Sequence, residues 1–363
     1  PRRYHLLNPP RVRLRVPKAP TRPPSSAPRA SEPDVEAPRL LGAKGRPGPQ
    51  ASTPTGPQAS TPNGPQASAP NGPRASLPAS ANATPTTAHA RVAESVLAAR
   101  HFRHLSPELV SRVTAIEAPK APRHADAVDR VKRRLHQVSN AYAPALHAPR
   151  DAVDAIRAAA GDEDALRTLA ISLMYGHAST AERLPDIDIV VPALRRAVTP
   201  DAAALPRRIV DLACGLNPLL LPWLGLPRTC VYDAYDVDSR LIGIVAAFLE
   251  AWGQAGTAAV RDVGGDPVRD STDLAILMKA VPCLDQVQPG NARRVLEAID
   301  ARRVIVTWPV QSLSGAQKGM RATYRRTCET LIAGLPYTVA EVAMPGELVF
   351  ILARTDGASS DSD

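Results

Sequence analysis

The sequence predicts an α/β fold: a seven-stranded, mostly parallel sheet with a C-terminal antiparallel hairpin, preceded by an N-terminal helical domain. Three observations predict it. Between residues 207 and 354, short apolar runs alternate with helical stretches, the pattern of a parallel sheet covered on both faces. The last two runs are separated only by Met344-Pro345-Gly346-Glu347, too short for a crossover helix and suited to a hairpin. Upstream, residues 88–176 space their apolar side chains at helical intervals.

Residues 1–87 precede any such pattern. The first 85 hold 20 of the 38 prolines and carry 12 Lys/Arg against 3 Asp/Glu, a formal charge of +9 that equals that of the whole 363-residue chain. An eight-residue repeat runs four times from Gly48: GPQASTPT, GPQASTPN, GPQASAPN, GPRASLPA. It has almost nothing apolar to bury, so it is expected to be a disordered, extended tail. Two roles are open to it: a basic arm touching RNA phosphates, or a species-specific tail, including an upstream frame translated in error. Residues 356–363 are likewise expected to be disordered.

The helical domain is predicted over 88–176. Val92, Val96, Leu97 and Phe102 fall near one face. Ser106-Pro107-Glu108 is a helix start, with a capping hydroxyl, a proline in the first turn and an acid at the positive end of the dipole. Val128, Val131, Leu135 and Val138 share the next face, with Arg130, Lys132, Arg133 and Arg134 largely off it. Those four are either a solvated face or an RNA contact. Asp151–Tyr175 reads as a third helical stretch. Residues 86–150 carry +6 and residues 151–363 carry −6. The folded part is therefore neutral overall with a basic N-terminal half, and its net charge alone does not mark it as a nucleic-acid binder.

Strands are predicted at 208–213, 230–235, 258–263, 274–279, 303–308, 337–343 and 348–353, with helices at 239–254 and 318–333 among those between. The four cysteines are widely spaced with no CxxC pair, which predicts neither a disulfide framework nor a metal site and fits a reducing compartment. No run of about 18 apolar residues marks a membrane span, and the N-terminus has no apolar segment of a secretory signal. A cytoplasmic protein is expected.

Chemistry concentrates at the strand ends, where doubly wound sheets bind their ligands. RRIVDLACGLNP (207–218) runs an apolar strand through Asp211 into a small-residue turn, Ala213-Cys214-Gly215. Gly215 lets backbone approach a ligand closely. The pattern differs from the GxGxxG of dinucleotide sites and resembles methyltransferase motif I. About 20 residues on, Asp236 ends the second strand, where a carboxylate can accept from both hydroxyls of a ribose; Asp233 and Asp238 are its neighbours. Asp262 ends the third. Its carboxylate can accept from an adenine amino group while the Val263 N–H donates to a ring nitrogen; a turn-forming Asp before Gly264-Gly265 is the plain alternative. Three acidic points at successive strand ends describe a cleft for a nucleoside bearing an amino-acid tail. With seven strands and a closing hairpin, this is the Rossmann-like class I methyltransferase shape. In LAILMKAVPCLD (274–285), Pro282 is expected to turn the chain and Lys279 to stand at the mouth of the cleft. Ala280-Val281-Pro282-Cys283 replaces the Asn/Asp-Pro-Pro-aromatic motif of many amino-methylating enzymes. Cys283 is either a nucleophile or, more simply, a buried loop cysteine.

Taken together, HASTAERLPDID (177–188), DLACGLNPLLLPWLGL (211–226), DVDSRLI (236–242), LMKAVPCLD (277–285), TWPVQSLSGAQKGM (307–320) and GELVFIL (346–352) resemble the aminoglycoside-resistance 16S rRNA (guanine(1405)-N7)-methyltransferases of actinomycete producers and resistant pathogens. The resemblance covers roughly 90–355, including VLAARHFRHLSPELVSRV (96–113), but not the tail. It implies an S-adenosyl-L-methionine-binding domain over 177–355 and an rRNA-docking role for the helices. It further implies that His177, Ala178, Ser179 and Arg183 line the cofactor site, with Arg183 gripping the methionine carboxylate. Ala213 and Gly215 would face the methionine, Asp236 the ribose, Asp262 and Val263 the adenine. Met278 would pack by the adenine, and a glutamine after the fourth strand, taken as Gln288, would also touch the cofactor. Lys318, Met320 and Arg321 would approach the target base in the 30S subunit, and Lys279 is the candidate for an activity role. A monomer without metal is expected.

Guanine N7 carries an in-plane lone pair and no proton, so direct displacement from the sulfonium needs no general base. That agrees with the absence of a catalytic dyad. Positioning and electrostatics then supply the rate, and the base must leave its stack, with Trp308 and Met320 as possible platforms. The alternatives are adenine-N1 methylation in the same decoding site, a small-molecule methyltransferase, and an RNA-binding protein with a degenerate methyltransferase fold.

Overall fold

A computed structural model describes residues 87–140, 149–200, 205–310 and 320–355. Expectations for the repeats, for Lys318 and for the C-terminal tail lie outside these residues, as do those for the side chains of Met320 and Arg321.

Seven strands form one sheet: β1 (Arg208–Leu212), β2 (Val231–Asp236), β3 (Ala258–Val260), β4 (Thr272–Met278), β5 (Ala301–Pro309), β6 (Tyr337–Met344) and β7 (Glu347–Arg354). Their order is β3-β2-β1-β4-β5-β7-β6. Pairs from β3 to β5 are parallel; β5·β7 and β7·β6 are antiparallel, in register from Arg303↔Ala353 to Pro309↔Glu347 and from Tyr337↔Arg354 to Met344↔Glu347. The predicted hairpin is thus present, and it inserts β7 beside β5. The order reverses between β1 and β4, which opens a crevice beyond their carboxyl ends. β1 and β4 are buried on both faces, as parallel central strands must be.

The helices are α1 (Thr87–Leu97), α2 (Pro107–Glu117), α3 (His124–Leu135), α4 (Pro149–Ala158), α5 (Glu163–Tyr175), α6 (Ala178–Ala181), α7 (Ile187–Val198), α8 (Leu221–Leu224), α9 (Ser239–Trp252), α10 (Ala280–Val287), α11 (Asn291–Ala298) and α12 (Met320–Ile332). α2 starts as predicted: Ser106 Oγ accepts from the Leu109 N–H, and Pro107 opens the helix. α1, α2 and α3 share a small apolar core around Val96, Leu109, Val113, Val131 and Leu135.

The structure corrects the sequence in three places. The stretch 151–175 is two helices, because Gly161 takes a left-handed conformation (φ 90°) and Asp162 caps the N–H groups of Asp164 and Ala165. From α4 and α5, Ile156, Leu166, Ala170 and Met174 pack in the same core as Ile209, Tyr232 and Phe248, so the apolar core runs continuously across residue 176. Pro282 does not turn the chain; it lies in the first turn of α10, where it forfeits no helical hydrogen bond. The turn falls earlier, at Lys279. Among the described residues no helix is long and apolar enough to cross a membrane.

Candidate active site

The crevice at the strand reversal holds a cavity of about 810 Å³, counting its open mouth. Four strands contribute from their carboxyl ends: Ala213 and Gly215 after β1, Asp236 to Asp238 at β2, Arg261 to Val263 after β3, Met278 and Lys279 at β4. His177 and Ser179 form a further wall. The three acidic strand tips expected from the sequence become two at the cavity, Asp236 and Asp262. Asp211, one turn earlier on β1, is fully buried in the core.

Backbone strain marks the crevice. Among the described residues, Ala213 (φ 55°) and Lys279 (φ 56°) are the non-glycine residues with positive φ. Each directly follows a strand flanking the reversal, and each costs about 1–3 kcal/mol. Gly215 (φ 54°) is required on two counts: its conformation, and a Cβ there that would sit 2.8 Å from His177 Cε1. Its N–H donates to Asp236 Oδ2 at 2.9 Å, and the Asp238 N–H donates to Asp236 Oδ1 at 3.0 Å. Burial raises the Asp236 carboxyl to about 6, against the pull of those two N–H groups. His177 is buried, and burial together with Arg183 and Lys279 lowers its pKa to about 4. It is therefore neutral at pH 7, and its buried Nδ1 has no hydrogen-bond partner.

Behind the cavity runs a charged network. Arg183 Nε and Nη2 donate to the Glu347 carboxylate at 2.5 and 3.2 Å, and Nη1 donates to Asn217 Oδ1 at 2.7 Å. Lys279 Nζ donates to the Ser179 carbonyl at 2.8 Å and Glu182 at 2.6 Å, and lies 3.3 Å from Glu347. Burial alone would raise the Glu347 carboxyl, but Arg183 and Lys279 hold it below its ordinary value. Asp211 is raised to about 7 by burial, and accepts from the Tyr232 hydroxyl at 2.8 Å.

Several expectations are corrected here. Arg183 does not line the cavity: it is 2 % exposed, and its fork is spent on Glu347 and Asn217. Lys279 is the cation at that wall, its ammonium surrounded by the Ser179 carbonyl, Glu182 and Glu347. Ala178 opens α6 outside the cavity lining. Gln288 ends α10 and is bonded to Arg294, while Gln286 is exposed, so neither glutamine reaches the cavity. Trp308 is no platform for a base: it is 1 % exposed, stacked on Tyr324 and edge-on to Phe350. Cys283 lines the cavity and is half-buried.

The sequence did not single out Arg112, Leu109 or Arg261, all of which line the cavity. A signal existed for the first. Leu109, Arg112, Val113 and Ile116 follow helical spacing, so Arg112 is an arginine set on an apolar stripe. On α3, Arg130 and Arg134, together with Lys120, turn onto the buried Glu117. Burial opposes ionisation of Glu117, but these three donors outweigh it and bring its pKa to about 2. Lys132 is half-buried, and exposed Arg133 reaches only the Asp129 carbonyl. Among the described residues no group of His, Cys, Asp or Glu is arranged to hold a metal ion.

Residues 98–351 match the model of the ribosomal RNA methyltransferase (FmrO) family. The chain is 32 % identical over 273 residues to a 16S rRNA (guanine(1405)-N(7))-methyltransferase of Micromonospora echinospora, covering 73 % of this chain and 96 % of that protein. A Serratia marcescens protein of the same description is 31 % identical, with coverages of 72 % and 96 %. Among solved structures, the 16S rRNA methyltransferase RmtF in complex with S-adenosyl-L-homocysteine is 30 % identical, with a TM-score of 0.63 over 74 % of this chain and 99 % of that one. The 16S rRNA methylase RmtB is 25 % identical, with a TM-score of 0.59 over 73 % and 98 %. On this agreement in sequence and architecture, the chain belongs to the FmrO family of ribosomal RNA methyltransferases.

Proposed function

We propose that this chain transfers the methyl group of S-adenosyl-L-methionine to guanine N7 in the decoding site of 16S rRNA, within the 30S subunit. The observation that carries the reading is the cavity at the strand reversal, with Asp236 and Asp262 at adjacent strand tips, in a chain whose relatives share that activity by name. The residues fit the cofactor. Asp236 retains lone pairs beyond those used by Gly215 and Asp238, enough for two ribose hydroxyls. Gly215 leaves the wall against His177 without a side chain, and the unpartnered His177 Nδ1 is a spare polar atom beside it. Lys279 is a cation that lines the cavity, held there by the Ser179 carbonyl, Glu182 and Glu347.

When bound, the cofactor supplies an electrophilic methyl that the N7 lone pair takes without loss of a proton, the sulfonium becoming a neutral thioether. The chain's own work is to hold and orient. Val263 and Met278 offer apolar surface, Asp262 an acceptor, and the strained Lys279 carries its ammonium into the wall. The helices α1 to α3 form the docking face for rRNA, with Arg130, Lys132, Arg133 and Arg134 meeting phosphates with an affinity that falls as salt rises. The enzyme acts as a cytoplasmic monomer, with Lys318, Met320 and Arg321 serving the target base.

Labelled methyl transfer to purified 30S subunits, followed by mapping of the modified nucleotide, tests the reading. Expression in a susceptible bacterium is expected to give high gentamicin and kanamycin resistance with no apramycin resistance; resistance to apramycin would assign the adenine site. Cofactor affinity should depend on pH through Asp236. Ribose hydroxyls donate to its ionised form, so binding favours the charge. With the free carboxyl titrating at about 6, affinity should be flat above pH 7 and fall by up to tenfold per unit below 6. Calorimetry between pH 5 and 8 checks this, and Asp236→Asn should remove the slope.

A further inference from the structure

Asp262 stands at the cavity with its carboxylate already engaged from outside the sheet. Arg112, on α2, meets it with both arms of its fork: Nε donates to Oδ2 and Nη2 to Oδ1, each at 2.7 Å. Asp262 is 5 % exposed and the Arg112 side chain 18 %. A bidentate guanidinium of this kind fixes the carboxylate plane as well as its charge.

The local sequence is built around this pair. A Cβ on Gly264 would lie 3.0 Å from Arg112 Nη2, and one on Gly265 would lie 3.1 Å from Arg112 Nε and 2.8 Å from Asp262 Oδ2. Gly264-Gly265 is therefore the turn that leaves room for the guanidinium. The start of α2 is fastened as well. The Ser106 N–H donates to the Val237 carbonyl, and the Ser239 N–H and hydroxyl donate to the His104 carbonyl. α2 is thus tied to the loop after β2 at one end, while its side chain Arg112 grips the loop after β3. Arg112 Nη1 is buried without a hydrogen-bond partner at the same wall.

Resting on the cavity being the S-adenosyl-L-methionine site, we propose that Arg112 is a positioning residue for cofactor specificity: it fixes the plane of the Asp262 carboxylate so that its oxygens face the adenine 6-amino group as acceptors. The fork takes one lone pair from each Asp262 oxygen and leaves one on each for the cofactor. Without the fork the carboxylate plane is free to rotate. Its oxygens can then turn away from a 6-oxo purine, and the site distinguishes it less sharply from a 6-amino one. The adenine edge of the cofactor is thereby read jointly by the sheet and by the helical layer.

The test compares S-adenosylhomocysteine with S-inosylhomocysteine, its 6-oxo counterpart, by calorimetry on the full chain, with thermal melts to show each variant folded. The unmodified protein should prefer the adenine compound by roughly 30-fold or more. Arg112→Gln should erase at least tenfold of that preference, and Arg112→Lys, a point charge without a fork, should fall between. Gly265→Ala, which crowds both Arg112 Nε and Asp262 Oδ2, should lower the preference with Arg112 itself unsubstituted. Equal weakening of both ligands in all three variants, or no preference in the unmodified protein, overturns the proposal while leaving the cofactor site intact. Failure of the unmodified protein to bind S-adenosylhomocysteine at all overturns the cofactor site, and this inference with it.

Discussion

Asp236→Ala should weaken S-adenosyl-L-methionine binding by roughly 10²–10⁴-fold. In the proposed complex the carboxylate accepts from two ribose hydroxyls, and hydrogen bonds to a charged group contribute about 1.5–3 kcal/mol each, so their loss amounts to about 3–6 kcal/mol. A second loss adds to it. Asp236 accepts the N–H groups of Gly215 and Asp238, and alanine leaves both without their acceptor in a buried turn. The variant therefore fails at the ligand and at the cradle together. Asp236→Asn keeps the volume and one acceptor and discards the charge, so it should retain a larger share of the affinity. Calorimetry on the three proteins decides the matter. An Asp236→Ala protein that binds within fivefold of the parent would mean that the ribose is held elsewhere.

Why the place of Asp236 at the cavity could be read from the sequence and the partner of Arg183 could not is a matter of range. Asp236 lies at a fixed distance from motif I, at the end of a recognisable apolar run, and parallel strand pairing forces such residues to one edge of the sheet. The same logic located Asp262, Val263, Met278 and Gly215, all now on one cavity wall. Strand existence was legible throughout, because buried parallel strands are continuous apolar runs; β3 was overestimated the most, ending at Val260 where the prediction ran to Val263. What failed depended on partners distant in the chain. Glu347 lies 164 residues from Arg183, and nothing local announces that it will take the guanidinium fork. Asp262 and Arg112 are 150 residues apart and escaped notice in the same way. Pro282 misled for the opposite reason: a proline breaks strands and helix interiors alike, yet fits the first turn of a helix, and only the positive φ of Lys279 reveals that the helix begins just after it.

The Arg183–Glu347 pair carries the largest expected stability effect. Both side chains are buried, at 2 % and 1 % exposure, and Lys279 at 6 % shares the same carboxylate. Glu347→Ala removes the counter-charge of two buried cations at once, although Asn217 still accepts from Arg183, and Glu182 and the Ser179 carbonyl from Lys279. Deleting one partner of a buried pair costs about 3–5 kcal/mol. At roughly 2–4 °C per kcal/mol for a domain of this size, the melting temperature should drop by about 6–20 °C. If the pair matters only as charge cancelling charge, Arg183→Met with Glu347→Leu should recover most of that loss, since apolar replacement of a buried pair is often neutral or better. The same double variant should still methylate poorly. Arg183 contributes to holding the His177 imidazole neutral, and Glu347 steadies Lys279 at the cavity wall, so both would be lost from the site even in a well-folded protein. Stability regained without activity would separate the two roles of this network; activity regained in step with stability would show that its charges serve only the fold.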